Sequence, residues 1–179
     1  VIEDHIREDA METIEWFKQN GVAIKIISGD NPITVSEVSR RVGVNNADRY
    51  ISLEGLSQQQ VIDAADKYTV FGRVSPEQKN ILIKALKAKG HKVAMTGDGV
   101  NDAPALKNAN VGVAMGKGGT DIARESADII LMDDNFASIT HAVEEGRIVY
   151  NNIRKVIFFA VSCGIPKVII YILAIMFGL

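Results

Sequence analysis

Disulfide bonds are the first thing this sequence excludes. Its 179 residues contain one cysteine, Cys163, so no internal disulfide framework is possible, which fits a reducing compartment. Positive charge is not in excess either. Twenty Lys and Arg face 22 Asp and Glu, a formal net charge of −2, which gives no basic surface for nucleic acid. Residues 1–8 are polar and acidic, unlike a secretory signal peptide. Neither an internal repeat nor a low-complexity segment occurs. The chain starts without Met and stops on an apolar run, so a piece of a longer protein is expected.

What is present divides sharply in composition. Up to about Asn152 polar and apolar residues mix as in a soluble α/β protein. Residues 156–179 then read VIFFAVSCGIPKVIIYILAIMFGL, with Lys167 the single charge. A bilayer needs roughly 20 apolar residues to be crossed by a helix, so a transmembrane helix is expected here. Arg147, Arg154 and Lys155 just before it place the preceding part in the cytoplasm by the positive-inside tendency.

Before that run, strand and helix signals alternate, which predicts a mainly parallel sheet covered by helices. Ala10, Met11, Ile14 and Phe17 recur at helical spacing up to Gly21. Strands are expected at 22–27, 49–53, 70–74, 92–95, 111–115 and 129–132. Helices are expected after Asn31-Pro32, from about Ser57 to Lys67, and after Ser75-Pro76-Glu77-Gln78, where Ser75 and Gln78 have capping-box spacing. After Asp133-Asp134-Asn135 a long helical pattern runs without a breaker into the apolar segment.

Two strand ends carry nearly the same signal, Ser28-Gly29-Asp30 and Thr96-Gly97-Asp98, each followed by a helix. In open α/β sheets ligands bind beyond the carboxyl ends of the strands. Glycine there lets backbone approach a phosphate, the hydroxyl donates, and the helix N-terminus aims N–H groups at an anion. One such turn alone is as well explained by tight chain reversal; two in one chain favour a phosphate site. Asp98, Asn101 and Asp102 crowd the second loop, a hard-oxygen set suited to Mg²⁺, though helix capping accounts for any one of them. Lys79 lies in the first turn of the Ser75-capped helix, where the dipole favours an anion. It therefore faces a bound anion or is a solvated lysine on a lysine-rich helix. Arg73 is open to the same two readings.

The run MTGDGVNDAPALKNANVGVAMGKGGTDIARESADIILMDDNF, from Met95 to Phe136, resembles the hinge and phosphorylation-domain signature of P-type ATPases. That family belongs to the haloacid dehalogenase-like hydrolases, and the resemblance covers essentially the whole chain. It implies a Rossmann-like α/β core at 1–134, a stalk helix at 135–155 and a transmembrane helix at 156–179. It also implies an integral membrane protein, of the cell membrane, with its soluble part in the cytoplasm. ATP and Mg²⁺ are the implied cofactors, and a transported cation and membrane lipid the implied partners. The nucleotide-binding, actuator and remaining membrane segments of a parent chain are expected too, and no nucleic acid.

Residue by residue, Ser28 resembles the hydroxyl that binds the phosphoryl group, in place of the commoner threonine, with Gly29 and Asp30 completing the motif. Lys79 resembles the lysine that neutralises the phosphoryl oxygens. Asp98 resembles the Mg²⁺ ligand, supported by Asn101 and Asp102, and Arg73 an arginine near the nucleotide. Asp4 and Arg7 match an Asp-Pro-x-Arg motif in which His5 replaces the proline. The family's nucleophile, in an Asp-Lys-Thr-Gly-Thr motif, has no counterpart in the 179 residues. The chain alone is thus expected to form no phosphoenzyme, and its sheet to close a gap or leave strand edges bare. Pro166 and Lys167 lie where the family lines its ion path. Calcium pumps carry a carboxylate near Lys167, and a lysine disfavours Ca²⁺ there. It is either a built-in counter-ion or the partner of a carboxylate on another helix. The competing readings are a haloacid dehalogenase-like phosphatase and a non-catalytic module derived from a pump.

Overall fold

The computed structural model describes residue 7 and residues 9–178. Asp4 and His5 lie outside the described residues. The first elements are α1 (Ala10–Gln19), β1 (Ile26–Ile27), α2 (Pro32–Arg41), β2 (Tyr50–Ser52), α3 (Gln58–Lys67), β3 (Val70–Gly72) and α4 (Pro76–Ala88). There follow β4 (Ala94–Gly97), a 3₁₀ turn at Val100–Asp102, α5 (Ala103–Asn108), β5 (Val111–Met115), α6 (Asp121–Ser126), β6 (Ile129–Leu131) and α7 (Ser138–Phe177).

Local chemistry sets the helix starts. Asn31 takes the Ile33 N–H on its side chain and Pro32 occupies the first position of α2. Ser57 with Gln60, and Ser75 with Gln78, form reciprocal capping boxes on α3 and α4. Ser57→Ala and Ser75→Ala should each lower the unfolding free energy by about 1 kcal/mol. A urea midpoint unchanged in either variant would show that water replaces that hydroxyl.

All strand pairs are parallel, but the strands form two sheets, not one. β3 lies between β1 and β2, and β5 lies between β4 and β6. No ladder joins the two sheets among the described residues. One core gathers Leu53, Val61, Phe71, Leu82 and Leu86 between α3, α4 and the first sheet. A second gathers Met95, Leu106, Ala114 and Ala123 around β4, β5, α5 and α6, with Ile83 of α4. Leu82 and Leu86 are four apart on one side of α4, and Ile83 is turned about 100° away. This one helix therefore serves both cores. A third cluster sets Ile14 of α1 against Val44, Ala47 and Val70.

The strand expected at 22–27 is reduced to Ile26–Ile27. β1 pairs on one side only, with β3, so residues 22–25 have no ladder to join. Val111–Met115 is a strand over the expected residues.

The chain divides into two units, Val1–Thr140 and His141–Leu179. In the second, α7 continues as regular helix through Pro166. Its apolar side chains are exposed, Phe158 at 68% and Tyr171 at 70%. The helix has 40 residues and a stretch of mean hydropathy 2.3, long and apolar enough to cross a membrane.

Candidate active site

Two surface depressions differ in chemistry. A shallow groove on α7, along Val161, Gly164, Ile165, Val168 and Ile169, is apolar throughout. A cleft of about 320 Å³ in the first unit is polar. Ile27, Ser28, Gly29, Lys79, Met95, Thr96, Gly97, Asp98, Asp102 and Met115 line it. It lies where the carboxyl ends of β1 and β4 meet, and each of those strands is the edge of its own sheet.

On the β1 side, the Ser28 N–H donates to the Phe71 carbonyl at 2.9 Å and the Val74 N–H donates to the Ser28 carbonyl at 3.1 Å. The Ser28 hydroxyl donates to Asp30 Oδ2 at 3.0 Å and accepts the Asp30 N–H at 3.1 Å. Asp30 thus orients the hydroxyl without lining the cleft. A Cβ on Gly29 would meet nothing within 4 Å, so packing does not force glycine there; its absence keeps the backbone open to a ligand. Arg73 adopts φ 52, its N–H donating to the Asp30 carbonyl at 2.9 Å. Its side chain is exposed and outside the cleft lining.

On the β4 side, the three acidic-loop residues do not converge. Asp98 and Asn101 are exposed, whereas Asp102 is buried. Asp102 Oδ1 accepts from Lys79 Nζ at 2.7 Å, with side chains 9% and 17% exposed. Asp102 Oδ2 accepts the Gly99 N–H at 3.3 Å. The anion that Lys79 faces is therefore the protein's own. Gly97 has a structural reason as well, since a Cβ there would stand 2.6 Å from the Asp102 Cβ. Among the described residues no three His, Cys, Asp or Glu side chains gather as a metal cluster. Of the three, Asp98 and Asp102 line the cleft, Asp98 exposed and Asp102 buried against Lys79, and Asn101 lies outside the lining. One exposed carboxylate beside a hydroxyl and an ammonium still fits Mg²⁺, which takes one or two carboxylates and fills its octahedron with phosphate oxygens and water.

Arg7 is not in the cleft. Its Nη1 donates to the Asp134 carbonyl at 3.2 Å and its Nε lies 3.4 Å from Asp9 Oδ1. Sequence reasoning passed over Asp134 and Arg124, which grip the loop after β5 from two sides. Their partners lie up to 17 residues away in sequence, with no periodic pattern to reveal them. Hydrogen bonds from the Lys117 N–H and then the Gly118 N–H hold the Asp134 carboxyl below its ordinary value of 3.8. A depressed carboxyl pKa favours the fold above the ordinary value. That contribution is lost as pH falls below about 3.8 and the carboxylate is protonated.

The profile of haloacid dehalogenase-like hydrolases matches residues 1–110. The chain belongs to the haloacid dehalogenase-like hydrolases. Within that family it is similar to a cation-transporting ATPase, pma1, of Synechocystis, 49% identical over 87% of this chain and 18% of the relative. It is 45% identical to calcium-transporting ATPase 1 of Bacillus cereus, over 98% of this chain and 20% of the relative. The chain thus spans about a fifth of the length of these relatives. A zinc-transporting PIB-type ATPase in its E2.Pi state resembles 86% of the chain at a TM-score of 0.66 and 30% identity. The catalytic domain of the CPx-ATPase CopB-B resembles 79% of it at 0.61 and 33%.

Proposed function

We propose that this chain is the phosphate-handling and stalk portion of a P-type ATPase, a membrane pump that couples ATP hydrolysis to cation transport. One observation carries the reading. Ser28, Lys79 and Asp98, far apart in sequence, line one polar cleft at the carboxyl ends of two bare-edged parallel strands. In this reading the phosphoryl group belongs to an aspartate outside this chain, on a strand that pairs with β1, β4 or both. The Ser28 hydroxyl, turning its one proton from Asp30 to the ligand, and the Lys79 ammonium bind its oxygens, and Asp98 holds Mg²⁺. The metal, when bound, neutralises phosphoryl charge. Asp30 orients Ser28, Asp102 positions Lys79, and Arg73 at the rim faces the nucleotide.

Residues 1–134 then form the phosphorylation portion, 135–155 the stalk and 156–179 a transmembrane helix of the cell membrane, with the soluble part in the cytoplasm. Pro166 and Lys167 belong to the ion path, and the partners are ATP, a cation, lipid and the parent's remaining segments. The chain alone forms no phosphoenzyme. The long apolar helix and the similarity to pumps disfavour a free-standing phosphatase.

The test is Mg²⁺-dependent binding of beryllium fluoride to the chain supplemented with a segment bearing the nucleophile motif. Partners behind a metal ligand are already worth 10–100-fold, so Asp98→Ala should weaken binding by about a hundredfold. Equal binding by the variant, or none by a folded wild-type assembly, would sink the reading.

A further inference from the structure

Asp98 is exposed, yet a ligand for Mg²⁺ has to be held still. The Asp98 backbone is tied to the loop after β5. The Thr120 N–H donates to the Asp98 carbonyl at 2.9 Å. Thr120 also caps α6 through Ala123, so its position is that of the loop Gly116–Gly119 just before it.

That loop is gripped from both sides. Asp134 Oδ1 accepts the Lys117 N–H at 2.8 Å and Oδ2 accepts the Gly118 N–H at 2.6 Å. Arg124 Nη1 donates to the Gly116 carbonyl at 2.7 Å and the Gly119 carbonyl at 2.5 Å, while Nη2 pairs with Asp121. The turn is too tight for a side chain at Gly119, whose Cβ would stand 2.0 Å from the Met115 carbonyl oxygen. Asp134 itself adopts φ 53, a left-handed conformation unusual for a residue other than glycine. Strain of this kind persists only where the surroundings over-determine it. Here they do: Arg7 holds the Asp134 carbonyl, and Asn135 Nδ2 donates to Asp9 Oδ2 at 2.9 Å. Asp133 accepts from the Asn135 N–H at 3.1 Å and the Ser138 hydroxyl at 2.5 Å, at the first residue of α7.

We infer that Asp134 is a positioning residue for Asp98, acting through the Arg124-braced loop Gly116–Gly119 and the Thr120 N–H. The inference rests on the reading of Asp98 as the Mg²⁺ ligand. It adds that the segment opening α7 sets where that carboxylate stands. Displacing Asp133–Ser138 moves two amides of the loop, the loop moves Thr120, and Thr120 turns the Asp98 peptide.

Asp134→Asn is the informative change. Asparagine tolerates the left-handed conformation, so backbone strain is unaltered. Its amide offers one acceptor where the carboxylate offered two, and sets an NH₂ against the other N–H. Ser57→Ala, remote on α3, serves as a control for general destabilisation. In the full chain, residue-resolved hydrogen exchange should show the Thr120 amide exchanging at least about tenfold faster in Asp134→Asn, with Val113 unchanged. The Mg²⁺ affinity should fall about tenfold, the scale of a partner behind a metal ligand. Ser57→Ala should change neither. Unaltered Thr120 exchange overturns the inference. So does faster exchange with undiminished Mg²⁺ affinity. A wild-type chain that binds no Mg²⁺, or binds it equally after Asp98→Ala, defeats the Mg²⁺ reading instead, and the linkage is then judged on Thr120 exchange alone.

Discussion

Lys79→Met is expected to destabilise the first unit by about 3 kcal/mol, the lower end of what breaking one side of a buried ion pair costs. Methionine preserves much of the apolar stem and removes only the ammonium. Asp102, 9% exposed, then keeps only the Gly99 N–H, at 3.3 Å, as a carboxylate partner among the described residues. An uncompensated buried carboxylate carries its full desolvation penalty. The double variant Lys79→Met with Asp102→Leu should recover most of the loss, because two apolar side chains leave no orphaned charge. Urea unfolding of the four proteins makes a double-mutant cycle. A single variant within about 0.5 kcal/mol of wild type would show that water reaches Asp102 and that the pair is superficial. On the proposed function, a phosphoryl group entering the cleft would compete with Asp102 for Lys79.

Phe71→Ala should cost more, about 3–5 kcal/mol. Phe71 is 1% exposed at the centre of β3, the middle strand of its sheet, and packs in the core with Leu53, Val61, Leu82 and Leu86. The helices α3 and α4 both lean on this cluster, so the hole cannot close without shifting one of them. Lys25 reports the loss separately. Its Nζ stands 5.7 Å from the Phe71 ring centroid and donates to the Tyr68 carbonyl at 2.6 Å. Burial pushes its pKa below the ordinary 10.5, with Asp66 acting against that shift. A lysine lowered in this way costs stability while charged, and the cost is relieved as pH rises through its folded pKa towards 10.5. Removing the ring admits water, so the Lys25 titration should move back up. A stability loss below about 1 kcal/mol, or an unmoved Lys25, would mean that the core collapses around the gap.

Where the sequence told the truth, the cause was local. Asn31 and Ser75 cap helices because capping is decided within four residues. Val111–Met115 is legible because a central parallel strand is apolar throughout. The paired strand-end motifs point Ser28 and Asp98 to a phosphate site and the helix dipole points Lys79 to an anion, and the family resemblance joins the three in one site. Spacing alone could not bring them to one cleft. What failed was non-local. Asp102 looked like one of three metal oxygens, but it turns inward to a lysine 23 residues earlier. Arg7 looked like part of the site, but it ends at the Asp134 carbonyl, 127 residues on. The strand at 22–27 looked continuous, but a strand is as long as its ladder, and β1 is paired on one side.

The division into two sheets has a mechanical consequence. A sheet stitched across its full width bends like a plank, and changing its curvature means breaking ladder bonds. Here Ile83 of α4 packs into the second core, and side chains beyond it tie the halves at places that include two polar or aromatic joints. At one, α4 holds α5 through Lys79 with Asp102, Asn108 with Asn80, and Lys87 Nζ on the Asn108 and Ala109 carbonyls. At the other, α1 holds the segment after β6 through Phe17 against Phe136, 5.4 Å between ring centroids, and Asp9 with Asn135. Both joints are made of groups that can slide or swap partners without unzipping a strand. On the proposed function, a phosphoryl-bearing strand seated between Ser28 on one half and Asp98 on the other would stitch the bare edges of β1 and β4 into one sheet and stiffen the joint.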